Sequence, residues 1–383
     1  MKSKNNIGKI LATALFGVLM VGLLIFANYD RPRYTITEST GTEYETAKVL
    51  SVEADNTTVD TTTENVKKGS TELKIKILTG RYKGDICFVE NYYSAMYNVD
   101  VAAGDTVSVR IDTTGKGTYT AAIYNYNRMP LFIGLIVLFA LTLILLGGRQ
   151  GAKAFAGLVY TVICIFFVLL PLSLKGVPCI PLTCVIIFAT SAVCFYLIGG
   201  WQVKTVGAAL GSLCGVLAAA VIGGIAARLG GVTTFQMEEA EALLLMKNNF
   251  AIGLRGLFVS GILIAAMGAV MDVAMTIASA LDEVHRLNPE RSRRELFVSG
   301  MNIGRDAMGT MANTLVLAYV GGALNMLVLI YSYGVSFRQL VNTDFVMIEL
   351  IRAIAGSMGI FLTVPAVSLI CSYLYGVKGG RNG

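Results

Sequence analysis

Gly261-Ile262-Leu263-Ile264-Ala265-Ala266-Met267-Gly268-Ala269-Val270-Met271-Asp272-Val273-Ala274-Met275-Thr276-Ile277-Ala278-Ser279-Ala280 decides how this chain folds. It is long and apolar enough to cross a bilayer as a helix, and it carries one aspartate. A short basic loop follows, and then a second apolar stretch that opens Asn302-Ile303-Gly304-Arg305-Asp306. Placing an ionisable side chain in hydrocarbon costs several kcal/mol or more, so Asp272 is a functional-site hypothesis by default.

Working outward, the 383 residues are 55% apolar and only 15% charged, which excludes an ordinary soluble protein. About eight stretches reach the roughly 20 residues that a span needs. They are 9–27, 130–147, 152–172, 180–199, 205–228, 250–281, 305–331 and 349–376. The net charge of +6 is topological. Lys2, Lys4, Lys9, Arg149, Lys153, Lys204, Arg286, Arg291, Arg293, Arg294, Lys378 and Arg381 fall on one side if the spans alternate. The opposite short loops hold only Lys175, Arg228, Lys247 and Arg338. This positive-inside pattern predicts cytoplasmic termini and argues against a nucleic-acid partner. The first span reads as an uncleaved anchor, because Ile25 stands where a signal-peptide cut after Ala27 wants a small residue. Five of the seven cysteines lie inside spans, with no CxxC pair and a single histidine, so neither a disulfide framework nor a metal centre is expected.

Three domains follow: an anchor helix at 1–27, an exported β domain at 28–128 and a seven-helix membrane domain at 129–383. In the second, runs such as Leu73-Lys74-Ile75-Lys76-Ile77 and Thr106-Val107-Ser108-Val109-Arg110-Ile111 alternate with period two between Gly-containing turns. A five- or six-stranded barrel of OB type is the expected fold. Tyr92, Tyr93, Tyr97, Tyr124 and Tyr126 offer either a stacking surface or core and edge packing. Outside the fifth span, Thr234 to Met246 reads as a short helix on the membrane surface with three glutamates.

Gly207, Gly211, Gly215, Ala219 and Gly223 recur every fourth residue, a stripe of small side chains for close helix packing. In the sixth span the same step gives Gly256, Ser260, Ile264, Gly268, Asp272, Thr276 and Ala280, which predicts a small, polar face turned toward other helices. The loop supplies Asn288 as a cap with Pro289 behind it, or Ser292 with Glu295 as a capping box. Leu296 and Phe297 are expected to face the bilayer from a surface helix, and Gly300 and Gly304 to permit the bend into the seventh span. There Asn302, Asp306, Gly309, Thr310 and Asn313 share one face with Arg305 adjacent, and Asn313 is expected to bond Asp272 or Thr276. Met267, Met271 and Met275 form a thioether stripe that reads as core filler.

The motifs Gly268-Ala269-Val270-Met271-Asp272-Val273-Ala274, Gly300-Met301-Asn302-Ile303-Gly304-Arg305-Asp306 and Asn313-Thr314-Leu315-Val316-Leu317-Ala318-Tyr319 resemble the YibE/F-like family of bacterial multi-span membrane proteins, over nearly the whole chain. The resemblance implies a multi-pass protein of the bacterial cell membrane and marks Asp272, Arg305, Asp306 and Asn313 for testing. It implies no substrate. Where family members are expected to carry a histidine after Gly-Arg-Asp, this chain has Ala307, so a proton relay through that imidazole does not carry over.

Two readings of function stand. One is a permease for a small solute or ion, with Asp272, Thr276, Asn302, Arg305, Asp306 and Asn313 along the pathway; without a phosphate-binding loop it would run on a gradient or a partner membrane subunit. The other is a non-transporting anchor or sensor that acts through its β domain. No cofactor and no enzymatic activity is expected; an intramembrane aspartyl protease would need Asp272 and Asp306 to share a proton, and they differ in depth.

Overall fold

The computed structural model describes residues 22–29, 41–61, 66–94, 97–114, 118–232 and 254–379. The chain forms two compact units, one within Thr35–Thr142 and one that combines residues up to Tyr34 with those from Leu143 onward. Most of the anchor, the segment Thr234 to Met246 and the turn Gly115 to Gly117 lie outside the described residues.

The first unit is one antiparallel sheet in the order β3-β2-β1-β4-β5. Its strands are β1 (Thr42–Asp60), β2 (Val66–Ile77), β3 (Ile86–Tyr93), β4 (Thr106–Thr114) and β5 (Thr118–Tyr126). Strand alternation turns Ala47, Val49, Leu73, Ile75, Ile77, Val107, Val109 and Ile111 inward, all with no exposed surface. The long β1 pairs β4 through its first half and β2 through most of its length. The register of β1 with β2 shifts between Val49 and Ser51 and between Val52 and Ala54, and Leu50 and Val52, out of phase with the inward Ala47 and Val49, face outward despite their hydrophobicity. The sheet curls into a half-barrel, so the closure expected of an OB-type barrel is partial. At the open side, the Tyr119 hydroxyl donates to Asp85 at 3.2 Å and its ring lies 4.1 Å from that of Tyr82. Burial pushes the Tyr119 hydroxyl up to about 12. The hydrogen-bonded Arg110 guanidinium, with Thr42 assisting, lowers the Asp112 carboxyl below its ordinary range. Of the five tyrosines singled out, Tyr93 is buried, and Tyr92, Tyr97, Tyr124 and Tyr126 are exposed.

The helices are α1 (22–28), α2 (Met129–Cys164), α3 (Leu170–Leu174), α4 (Cys179–Gly199), α5 (Val203–Leu229), α6 (Leu254–Leu287), α7 (Arg293–Gly322), α8 (Leu324–Ser332), α9 (Phe337–Val341) and α10 (Asp344–Gly379). A π-turn over Ile165–Leu169 joins α2 to α3. Among the described residues five helical stretches are long and apolar enough to cross a membrane, or six if α7 and α8, bent by 60° at Ala323, are one span. The stretch Met129–Leu174 counts once in that tally, yet at about 1.5 Å per residue it exceeds twice the thickness of a hydrocarbon core. Gly148 interrupts it at φ 54° and ψ −133°, a conformation open to glycine, in the loop that the sequence places between two spans.

α10 lies at the centre of the helical unit, packed against α5, α7 and α6, with α4 completing the bundle against α5 and α6. Its buried faces carry Ile262, Leu263, Val270, Ile277, Leu281, Ile360, Val364 and Val367. The small-residue stripe of α5 runs antiparallel along α10. A Cβ on Gly207 would collide with Cys371 Sγ, one on Gly211 with Val367, and one on Gly215 with Thr363 Oγ1. Ala219 faces Gly359, and Gly223 faces Ala355. Each step of four on one helix meets a step of four on the other, the spacing at which small residues let backbones approach. Pro365 lies inside α10, which continues through it. The thioethers of Met267, Met271 and Met275 pack on the bundle core.

Candidate functional site

The site is built on α6 and α7, and glycines set how these helices meet. A Cβ on Gly300 would stand 2.5 Å from Ser368 Oγ and 3.0 Å from Leu281 Cδ1. One on Gly304 would collide with Val364 and stand 3.1 Å from Ile277 Cδ1. These glycines therefore do not bend the chain as expected. α7 is continuous through both, and they admit α10 and α6 instead. Leu315 and Ala266 both contact the Cβ position of Gly356, in the same antiparallel register as Gly300 with Leu281 and Gly304 with Ile277. The register puts Asp272 level with Gly309. Asp306 lies three residues before Gly309, about 4.5 Å along the axis.

α7 begins at the second of the two caps offered by the sequence. Ser292 Oγ accepts from the Glu295 amide at 3.3 Å, and Glu295 Oε2 accepts from the Ser292 amide at 2.8 Å, a reciprocal capping box. Asn288 and Pro289 remain outside the helix. Leu296 turns inward and is fully buried, contrary to the bilayer-facing orientation expected of it, because the helix that carries it packs on α6 and α10. Ser292→Ala is expected to cost about 1 kcal/mol, read as a lower thermal unfolding midpoint in detergent, and Ser292→Asp to restore most of it. An unchanged midpoint in the alanine variant would show that tertiary contacts alone start α7.

On α6, Val270, Val273, Ala274 and Ile277 are buried, whereas Gly261, Ala265, Gly268, Asp272 and Thr276 are exposed. On α7, Leu296, Gly300, Gly304, Ala312 and Leu315 face the core, and Asn302, Arg305, Asp306, Gly309, Thr310 and Asn313 are exposed. A Cβ added at Gly261, Gly268 or Gly309 would meet nothing within 4 Å. The α6 face begins as the sequence foresees, with Ser260 buried and accepting from Thr183 of α4 at 2.8 Å and Gly256 close to Cys179. Around Gly268, Asp272 and Thr276, and along the polar face of α7, no helix among the described residues covers the surface. The expected bond from Asn313 to Asp272 or Thr276 is not made, and the Asp272 carboxylate has no hydrogen-bond or ionic partner among the described residues. Arg305 Nη1 donates to Asn302 Oδ1 at 3.5 Å, and Thr310 Oγ1 donates to the Ala307 carbonyl at 3.0 Å. No hydrogen bond joins Asp272 to Asp306 among the described residues. In depth along the membrane normal the exposed oxygen and amide groups of the two helices follow in a line, with the Asp272 carboxylate level with Gly309 and the sequence neighbours Arg305 and Asp306 about one turn away. Such a line can take up a proton or a cation.

Sequence reasoning missed a second cluster where α5 starts and α6 and α10 end. Asp282 accepts from the Tyr375 hydroxyl at 2.9 Å, pairs with Arg286 at 2.9 Å and lies 3.7 Å from Lys204 Nζ. The His285 ring stacks 4.9 Å from that of Tyr375. The i, i+4 spacing of Asp282 and Arg286 is readable in sequence, but Lys204 and Tyr375 arrive from other helices. At the other end of α10, Arg352 pairs with Glu349 at 2.5 Å and lies over the Phe258 ring.

A family model described as YibE/F-like protein matches residues 135–377, and one described as the YibE/F family N-terminal domain matches residues 40–126. No curated protein and no solved structure matches the chain.

Proposed function

The chain belongs to the YibE/F-like family, and from that membership, with the uncovered polar stripe of α6 and α7, we propose that this integral membrane protein is a permease-like transporter. Asp272 carries the reading: a carboxylate in the middle of an apolar helix, exposed and without a partner among the described residues. Hydrocarbon does not tolerate that side chain bare, so in a bilayer it faces water, a transported ion or a partner subunit. Thr276 on α6 and Asn302, Asp306, Thr310 and Asn313 on α7 extend the polar surface along the membrane normal, as a pathway requires. Asp272 would bind the coupling proton or cation, and Arg305, bonded to Asn302, would line the pathway about a turn away. The offset of Asp306 from Asp272 favours transport over proteolysis. The distribution of basic residues supports cytoplasmic termini, and the family resemblance supports a bacterial cell membrane as the location.

The test is flux. Wild type and Asp272→Asn are reconstituted in liposomes with a pH-sensitive dye and offered small ions, organic solutes and metals. A substrate-dependent flux in wild type that falls to background in Asp272→Asn is the expected result, and flux unaffected by the substitution would remove Asp272 from the pathway. A second reading, an anchor or sensor without transport, is favoured by a cavity of about 670 Å³ in the β unit beside Tyr44, Tyr124 and Tyr126. It becomes the leading reading if well-folded protein moves nothing.

A further inference from the structure

We propose that the groove between α5, the first turns of α7 and the last turns of α10 is a binding site for one anionic phospholipid. The groove encloses about 640 Å³. Its wall is Leu210, Phe297, Leu369 and Leu374, and its rim is Arg293, Arg294 and Tyr373. Leu369 and Tyr373 are more than half exposed, so the wall opens to the bilayer.

The rim fits a phosphate. Neither Arg293 nor Arg294 has a carboxylate partner among the described residues, and Arg293 is held over the Tyr373 ring at 4.6 Å. That contact pre-orients a planar fork of donors, and guanidinium groups take phosphate oxygens in pairs. Both arginines sit in the first turn of α7, where the helix dipole also favours an anion. Glu295, the acid of that turn, is committed to Ser292 and does not line the groove. Two positive charges meet one phosphate, so a headgroup with net negative charge is preferred over a zwitterionic one.

The wall fits acyl chain. From Tyr373 back to Leu369 the surface moves about one turn deeper into the membrane and is apolar apart from Ser372, whose hydroxyl donates to the Leu369 carbonyl at 2.8 Å. Cationic rim and apolar wall thus succeed each other along the membrane normal, in the order of a lipid's phosphate and tail. Basic pockets between spans on the positively charged side of a membrane protein recognise anionic headgroups in this way. A free phosphate would use the rim alone.

The experiment is native mass spectrometry of the full-length protein in detergent, titrated with phosphatidylglycerol, with phosphatidylcholine and with inorganic phosphate. Wild type is expected to retain one phosphatidylglycerol about tenfold more tightly than phosphatidylcholine, the worth of a charge-assisted pair. Arg293→Gln with Arg294→Gln is expected to erase that preference. Arg291→Gln, on the neighbouring surface with its guanidinium near Ser299, is expected to keep it. If the double glutamine variant does not fold, Leu369→Trp fills the wall, keeps both arginines and is expected to expel the lipid. Equal retention of both lipids by wild type, undiminished retention of phosphatidylglycerol by Leu369→Trp, or retention of inorganic phosphate with no phosphatidylglycerol would overturn the proposal.

Discussion

Gly215→Ala is expected to lower the thermal unfolding midpoint of the detergent-solubilised protein sharply, while Gly224→Ala, nine residues on in the same helix, leaves it unchanged or raises it. The two glycines share a helix and a membrane environment, and differ in what faces them. A methyl group on Gly215 would collide with Thr363 Oγ1 and lie 2.8 Å from the backbone oxygen of Gly359. Thr363 is fully buried and donates to that same carbonyl at 2.7 Å, so neither group can move without separating α5 from α10. Overpacking of this kind costs about 1–3 kcal/mol. Without a hydrophobic driving force between helices in lipid, close packing is much of what holds them together. At Gly224 an added Cβ meets nothing within 4 Å, and alanine there regains up to about 1 kcal/mol of helix propensity. Equal midpoints for the two variants would show that the α5–α10 contact does not limit stability.

Asp272→Leu is expected to abolish flux and to stabilise the helical unit. A side chain with a structural partner destabilises when removed; Asp272 has no such partner among the described residues, and its helix neighbours Val273 and Ala274 make the packing contacts. Exchanging an aspartate for leucine near the middle of a span improves its transfer into the bilayer by roughly 3 kcal/mol on insertion scales. The variant should therefore express well, unfold at a higher temperature and transport nothing. This pattern of gained stability and lost activity is what a functional carboxylate leaves behind. If Asp272→Leu unfolds the protein, the carboxylate is bound within an assembly, and its role is structural.

The sequence determined the elements. Hydrophobic length located the helices, period-two alternation located the strands, and the four-residue spacing of Gly207, Gly211, Gly215 and Gly223 marked a packing stripe whose partner it did not name. These signals are local, set by the thickness of a bilayer, the pleat of a strand and the pitch of a helix. The sequence also put Asp272 and Thr276 on one small-residue face and Asn302, Asp306 and Asn313 on another. Only the tertiary structure decided what each face meets. It set Cys371, Val367, Thr363 and Gly359 against the α5 stripe, and used Gly300 and Gly304 for the approach of α10 instead of a bend. It turned Leu296 inward, joined Asp282 to Lys204 and Tyr375 across three helices, and left the face of Asp272 uncovered among the described residues. Periodicity fixes which residues share a face; which face is buried depends on the competition among all helices for the closest packing, and that is a property of the whole bundle.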